Sequence, residues 1–176
     1  MYSVKALVVL AAVGLAACSS SSESKLGPDG QPLPQLYKID SKVAKEIPDR
    51  VLTNINDVRV KRGETPVVMD PSLVVAANKH SKDMAAQNRP WHWGTDGSSP
   101  LDRGRQAGYP GEIIGEDISE SYENEVQTLS AWMGTHDTRD VIINPKATSV
   151  GIGWYQEPEG KIWWTLVTGN SNSSPR

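Results

Sequence analysis

"TSVGIGWYQEPEGKIWWTLVTG", residues 148–169, changes the period of the chain and so decides its class. Before it, apolar residues recur every three or four positions. Here Val150, Ile152 and Trp154 alternate with Gly151, Gly153 and Tyr155, the two-residue repeat of a strand. "KIWWTLVTG" is aromatic and β-branched, as strands prefer. "EPEG" between the two runs carries turn residues, so an antiparallel hairpin is predicted at this end of the chain.

Three helices are legible upstream. "IPDRVLTNINDVRVKRG", residues 47–63, places Val51, Ile55 and Val58 on one face and ends in Lys61, Arg62 and Gly63, which suit a helix C-terminus. "MDPSLVVAANKHSKDMAAQN", residues 69–88, opens with Asp70 as N-cap and Pro71 at the first helical position. Leu73, Ala77, His80 and Met84 share its inner face, which reads His80 as a packed core histidine rather than a ligand. "SYENEVQTLSAWM", residues 121–133, turns Val126, Leu129, Trp132 and Met133 to one side, with Glu123 and Glu125 near the favourable N-terminal end. A shorter helix runs from Ser99-Pro100 towards Gly108, and "GEIIGEDIS", residues 111–119, supplies a further strand. Helices first and a hairpin last predict an α+β fold.

The beginning of the chain reads differently. Residues 1–17 carry Lys5 and an apolar run from Ala6 to Ala17, too short to span a membrane and the right length for a signal-peptide core. The run ends in Leu15-Ala16-Ala17-Cys18, which resembles the lipobox of bacterial lipoproteins. That resemblance implies cleavage before Cys18 and lipidation of Cys18, so that the membrane becomes a partner through a lipid anchor. Ser19 rather than Asp after the cysteine favours the outer membrane, with the domain in the periplasm or at the surface. Residues 18–40 are Ser-rich and then Pro/Gly-rich, a solvated tether spanning on the order of 25 Å. Residues 41–176 make one domain. Cys18 is the chain's single cysteine, so this domain holds no disulfide, Cys-based zinc site or thiol nucleophile. The formal net charge is −3 and no basic stretch is interleaved with stacking aromatics, which argues against nucleic acid as a partner.

"RPWHWGTDG", residues 89–97, sets one of only three histidines between Trp91 and Trp93. With it, the ordered set "NINDVR…MDPSLVVAANKHSKDMAAQNRPWHWGTDGSSPLDRGRQAGY…GEDIS…AWM…INP…VGIGW…WWT" resembles the bacterial branch of the CAP superfamily, whose domain is also called SCP. The likeness covers nearly all of residues 48–169. It implies an α-β-α sandwich with a small antiparallel sheet between helices. It also implies a cleft with two histidines and acidic residues that can hold a divalent metal. His92 matches the first family histidine and Glu116 the glutamate of a G-E-N-I stretch, with Asp117 where Asn is usual. Arg103 and Arg139 match family arginines. The second histidine departs: aligned through Trp132-Met133 and Asn144-Pro145, its place falls on Thr138. His136 lies two residues early and can stand in only if the helix has ended by Thr135.

The cleft implied by the resemblance thus holds His92, Glu116, Trp91, Trp93, Thr138 and Arg139, and a candidate metal set is His92, Glu116 and His136. No cofactor is required by this reading, and a weakly bound zinc ion is the one it allows. There is no H-E-x-x-H and no G-x-S-x-G in the chain. Glu112 and Glu116 on one strand face would lie about 13 Å apart, too far for a glycosidase pair. Two readings follow. One is a non-catalytic envelope module binding lipid, glycan or protein. The other is a hydrolase, metal-assisted or not, acting on peptide or cell-wall material.

Overall fold

The structure is a computed structural model, and it describes residues 36–173. The signal-peptide reading, Cys18 and the tether up to residue 35 lie outside the described residues.

Helix α1 (Ser41–Lys61) begins where Asp40 accepts hydrogen bonds from the backbone N–H groups of Lys42 and Val43. Its buried stripe is Ile47, Val51, Ile55 and Arg59, one residue every four. The expected place of Val58 in that stripe is taken by Arg59, and Val58 is only half-buried. Strand β1 (Val68–Met69) follows, then α2 (Pro71–Gln87), capped by Asp70. Helix α2 stops at Asn88, in the left-handed region that asparagine tolerates. Helix α3 (Pro100–Gln106) starts at a reciprocal cap between Ser99 and Asp102. Strand β2 (Glu112–Ser121) leads to α4 (Glu125–Gly134), α5 (His136–Ile142), β3 (Ser149–Gln156) and β4 (Ile162–Asn170).

The expected inner face of α4 needs correction. Val126 is exposed and Met133 half-buried, while Glu125, Thr128, Leu129 and Trp132 are buried. Counting helical turns from Glu125 gives that inner face. The Glu125 carboxylate is tolerated inside because Arg50 Nε donates to it at 2.7 Å and the Tyr37 hydroxyl at 2.8 Å.

The sheet runs β1-β3-β4-β2. The β3–β4 hairpin is antiparallel, and β2 pairs antiparallel with the outer side of β4. The two-residue β1 joins β3 in parallel, so the expected antiparallel sheet gains one short parallel edge. A register shift between Ile113 and Gly115 leaves Ile114 without a partner on β4. One face of the sheet carries the larger core, where Ile47, Val51 and Ile55 of α1 and Leu129 and Trp132 of α4 meet Ile152, Trp164 and Leu166. The other face carries α2. A Cβ on Gly151 or Gly153 would collide with the α2 backbone near Leu73 and Asn78, so the hairpin's alternating glycines let that helix lie directly on the sheet. Helices on both faces make the α-β-α sandwich.

Candidate binding cleft

The loop from residue 89 to 98 joins α2 to α3 and is tied down at both ends. The backbone N–H of Gly94 donates to Ser98 O at 2.9 Å, and that of Thr95 to the Asp83 carboxylate on α2 at 2.9 Å. From α3, Arg103 Nη1 donates to His92 O at 3.0 Å and to Ser98 O at 2.9 Å. The His92 main chain is therefore fixed by an arginine that is itself buried.

The same guanidinium reaches β2. Arg103 Nη2 donates to Glu116 Oε1 at 2.8 Å and Oε2 at 2.6 Å. The Glu116 side chain is 1% exposed, so this pair lies out of water. His92 Nδ1 lies 2.9 Å from Glu116 Oε1. The carboxylate can only accept, so Nδ1 carries the proton and Nε2 is the ring's free nitrogen. The His92 side chain is 51% exposed, and it is the one open part of this cluster.

His80 completes the group from α2. Its Nε2 donates to Trp91 O at 3.0 Å and sits 3.6 Å from Glu116 Oε1. Trp91 O only accepts, so the proton of the neutral ring is on Nε2, and the buried Nδ1 has no partner. Burial lowers the pKa of His80, with Glu116 opposing the shift, so the ring is neutral. The next strand residue, Asp117, turns to the opposite face of β2. It is buried, its Oδ2 has no hydrogen bond, and burial followed by the Glu116 charge pushes its pKa up to about 8. Its carboxyl is neutral at pH 7 and so resembles the asparagine usual at this place.

Beside this cluster lies a cleft of about 420 Å³, with walls that include His92, Ser99, Leu101, Ile113, Ile114 and Glu116. Trp91 and Trp93 do not line it. The Trp91 indole donates to Gln87 Oε1 at 2.6 Å and its ring carries the Arg89 guanidinium at 3.8 Å, while Trp93 is exposed. Thr138 is also occupied elsewhere, since its hydroxyl donates to Trp132 O at 2.6 Å and closes the end of α4. Arg139 is half-buried on α5, with Asp140 at 3.8 Å. His136 is not brought to His92 and Glu116. Helix α4 ends at Gly134, Thr135 separates the two helices, and His136 opens α5 with its side chain 73% exposed beside Asp137 and Asp140. The helix does end in time, but the new helix carries the ring into solvent.

This donor set does not fit a divalent ion. Among the described residues, no three His, Cys, Asp or Glu side chains converge in a way that could hold one. Each Glu116 oxygen already accepts from Arg103, and Oε1 accepts from His92 as well. A cation there would face the guanidinium at close range. His80 is the member that periodicity hides. It lies on the apolar stripe of α2 as a core residue does, yet its ring also abuts the buried carboxylate.

Residues 52–168 match the family described as CAP, the cysteine-rich secretory protein family. Protein YkwD of Bacillus subtilis (strain 168) is 30% identical over 114 residues, covering 65% of this chain and 44% of that protein. The chain thus spans less than half the length of that curated relative. An outer surface protein from Borrelia burgdorferi superposes with a TM-score of 0.67 at 16% identity, covering 77% of this chain and 98% of that one. An extracellular protein containing an SCP domain from Bacillus anthracis str. Ames gives a TM-score of 0.64 at 21% identity, over 76% and 45%. These two likenesses are of fold.

Proposed function

The chain belongs to the CAP, or cysteine-rich secretory protein, family, and we propose that it is a non-catalytic binding module of the bacterial envelope. In this reading it holds a lipid, glycan or protein ligand in the cleft beside His92 and Glu116, and it needs no metal or cofactor. The carrying observation is that the Ser99 hydroxyl and the Glu116 carboxylate, the polar groups beside His92, are already engaged. Ser99, the one hydroxyl side chain on its walls, donates to Asp102 Oδ2 at 2.6 Å and accepts from the Asp102 N–H as a helix cap. Glu116 is neutralised by Arg103. A hydrolase needs an activated nucleophile or a metal-bound water, and His92 alone supplies neither. What remains is an apolar wall of Pro100, Leu101, Ile113 and Ile114 with one accessible imidazole and the Glu112 carboxylate at one end, the composition of a recognition site.

Placement in the envelope rests on the lipobox-like end at Cys18 and on fold relatives described as outer-surface and extracellular proteins. Cys18→Ser is expected to abolish incorporation of labelled palmitate. Continued labelling would remove the anchor. For the cleft, a photoreactive benzoyl-phenylalanine at Leu101 is expected to give an adduct in cells, where the same group at exposed Val60 gives none. Absence of any adduct at Leu101 would overturn the binding reading.

A further inference from the structure

We propose that the ligand of this cleft is an extended peptide carrying a basic side chain, which adds to the sheet as one more strand along β2. The proposal rests on the binding reading above and narrows it to one ligand class. Strand β2 is an outer strand, paired with β4 on one side only. The cleft touches five consecutive residues of it, Glu112 to Glu116. Side chains alternate between the faces of a strand, so a cleft that meets five in a row runs along the strand's edge and meets its backbone.

The hydrogen-bond parity of the sheet shows which backbone groups are free. Val150 O accepts from Asp70 N at 2.9 Å, so Val150 faces β1 and its neighbours Ser149 and Gly151 face β4. Carrying the alternation through β4 gives Asp117 as a residue bonded to β4, and Glu116 and Ile118 as residues turned outward. The outward carbonyl of Ile118 bears this out, since it accepts from Trp132 Nε1 at 3.2 Å. That part of the edge is closed by α4. Glu116, opposite Val167, and Ile113, opposite Gly169, both turn outward, because Val167 and Gly169 face β3, while the bulged Ile114 shares with Gly115 the place opposite Thr168. Gly169 and Val167 lie two residues apart on β4, so Ile113 and Glu116 present outward N–H and C=O groups about 6.6 Å apart along the strand.

Only a polypeptide repeats donors and acceptors at that spacing. An acyl chain lying here would bury these groups without partners, and sugar hydroxyls do not follow the strand repeat. Charge supplies the second criterion. Glu116 is balanced by Arg103, whereas Glu112, at the end of the lining segment, has no ion pair among the described residues. A lysine or arginine of the incoming strand meets Glu112, and its apolar residues meet Leu101 and Ile113. This is strand addition with alternating side-chain pockets.

The test uses the full chain in detergent micelles and a displayed library of linear heptapeptides. Enriched peptides are expected to alternate β-branched residues and to carry one Lys or Arg. N-methylation of alternate peptide amides is expected to weaken binding at least tenfold, because it removes ladder donors while keeping every side chain. Glu112→Lys is expected to shift enrichment towards Asp or Glu. The Ile113 and Glu116 amide resonances of the unsubstituted protein are expected to move on peptide addition and to gain exchange protection, a readout that depends on no variant's folding. An N-methylated peptide that binds equally well, or enriched peptides that leave those two amides unmoved, would overturn strand addition. A lipid or glycan adduct at Leu101 with no peptide enriched would overturn it while leaving the binding reading in place. No adduct and no enrichment would remove both.

Discussion

Arg59 on α1 and Arg103 on α3 are both buried, yet only Arg103 meets a carboxylate. Arg59 Nε donates to Thr65 O at 2.8 Å, Nη1 to Ile142 O and Asn144 O at 2.9 Å, and Nη2 to Ala147 O at 3.1 Å. It joins the end of α1 to the end of α5 and to the turn that enters β3. Burial lowers its pKa, and carbonyl dipoles rather than a counter-ion solvate its charge. Arg103 turns Nη1 to two carbonyls in the same way and Nη2 to Glu116, while its buried Nε has no partner among the described residues. The carbonyl cage makes a structural pin. The mixed set makes a neutral floor that holds His92 by its main chain and, through Glu116, by its ring.

The pin is the costlier one to lose. Arg59→Met takes this donor from the Thr65, Ile142 and Ala147 carbonyls, each worth about 1–3 kcal/mol if left unpaired, while Asn144 O keeps the Ala147 N–H at 3.1 Å. Some relaxation is expected, so urea denaturation should show a loss of about 4 kcal/mol. Arg59→Lys should recover less than half of it, because an ammonium cannot copy a planar fork that serves carbonyls on separate segments. Full recovery by lysine would mean that the charge matters and the fork does not.

Arg103→Met should cost about 3 kcal/mol, mainly by leaving the Glu116 charge buried and uncompensated. The two arginines then separate in the double variant. Adding Glu116→Gln to Arg103→Met should restore at least about 1.5 kcal/mol, since the stranded charge is gone. No single carboxylate change can do this for Arg59→Met. Strict additivity of the Arg103 and Glu116 changes would contradict the neutral-floor account.

This contrast also explains what can be read from residues alone. The Asp70-Pro71 start of α2, the capped start of α3 and the period of residues 148–169 are local signals, and the structure follows them. Arg59 is hidden because the i, i+4 stripe of Ile47, Val51 and Ile55 does not announce that its next member is charged. Glu125 is hidden likewise, its partners Arg50 and Tyr37 lying far away in sequence. His80 reads as core because one residue can fill a stripe and still touch a carboxylate on another element. The break at Thr135 is a single residue long, too short for a periodicity argument, and it alone decides where His136 and Thr138 sit. Family resemblance draws attention to His92 and Glu116, 24 residues apart, whereas their hydrogen bond depends on Arg103 holding both.

Asp117 extends the comparison to an acid with no arginine at all. Its pKa is raised from 3.8 to about 8 by burial and by Glu116. The unfolded chain releases this proton near pH 4 and the folded chain only near pH 8. Stability is therefore full below about pH 4, falls as pH rises between those values, and levels off above about pH 8. Asp117→Asn keeps the shape and removes the titration. It should raise stability at about pH 8 by at least about 1.4 kcal/mol, the equivalent of one pH unit, and change it little at about pH 4. Thermal unfolding at the two pH values checks this. An equal effect at both would mean that Asp117 is already ionised inside the fold.

The smallest effect belongs to the exposed counterpart of the Arg103–Glu116 pair. His136 has Asp137 Oδ1 at 3.3 Å and Asp140 Oδ2 at 3.6 Å, two carboxylates to the one that Arg103 meets, yet all three side chains stand mostly in water. Water screens the attraction, and holding the ring and carboxylates together costs side-chain freedom. These contributions nearly cancel. His136→Ala should stay within about 0.5 kcal/mol of the unsubstituted protein at about pH 7, against the several kcal/mol expected of Arg103→Met. Calorimetric titration with zinc should give the same isotherm for both proteins, because His136 faces solvent while Glu116 is occupied by Arg103. A tenfold loss of zinc affinity in His136→Ala would place the ring in the cleft in solution, and Arg103 would then have to release Glu116 to admit the ion.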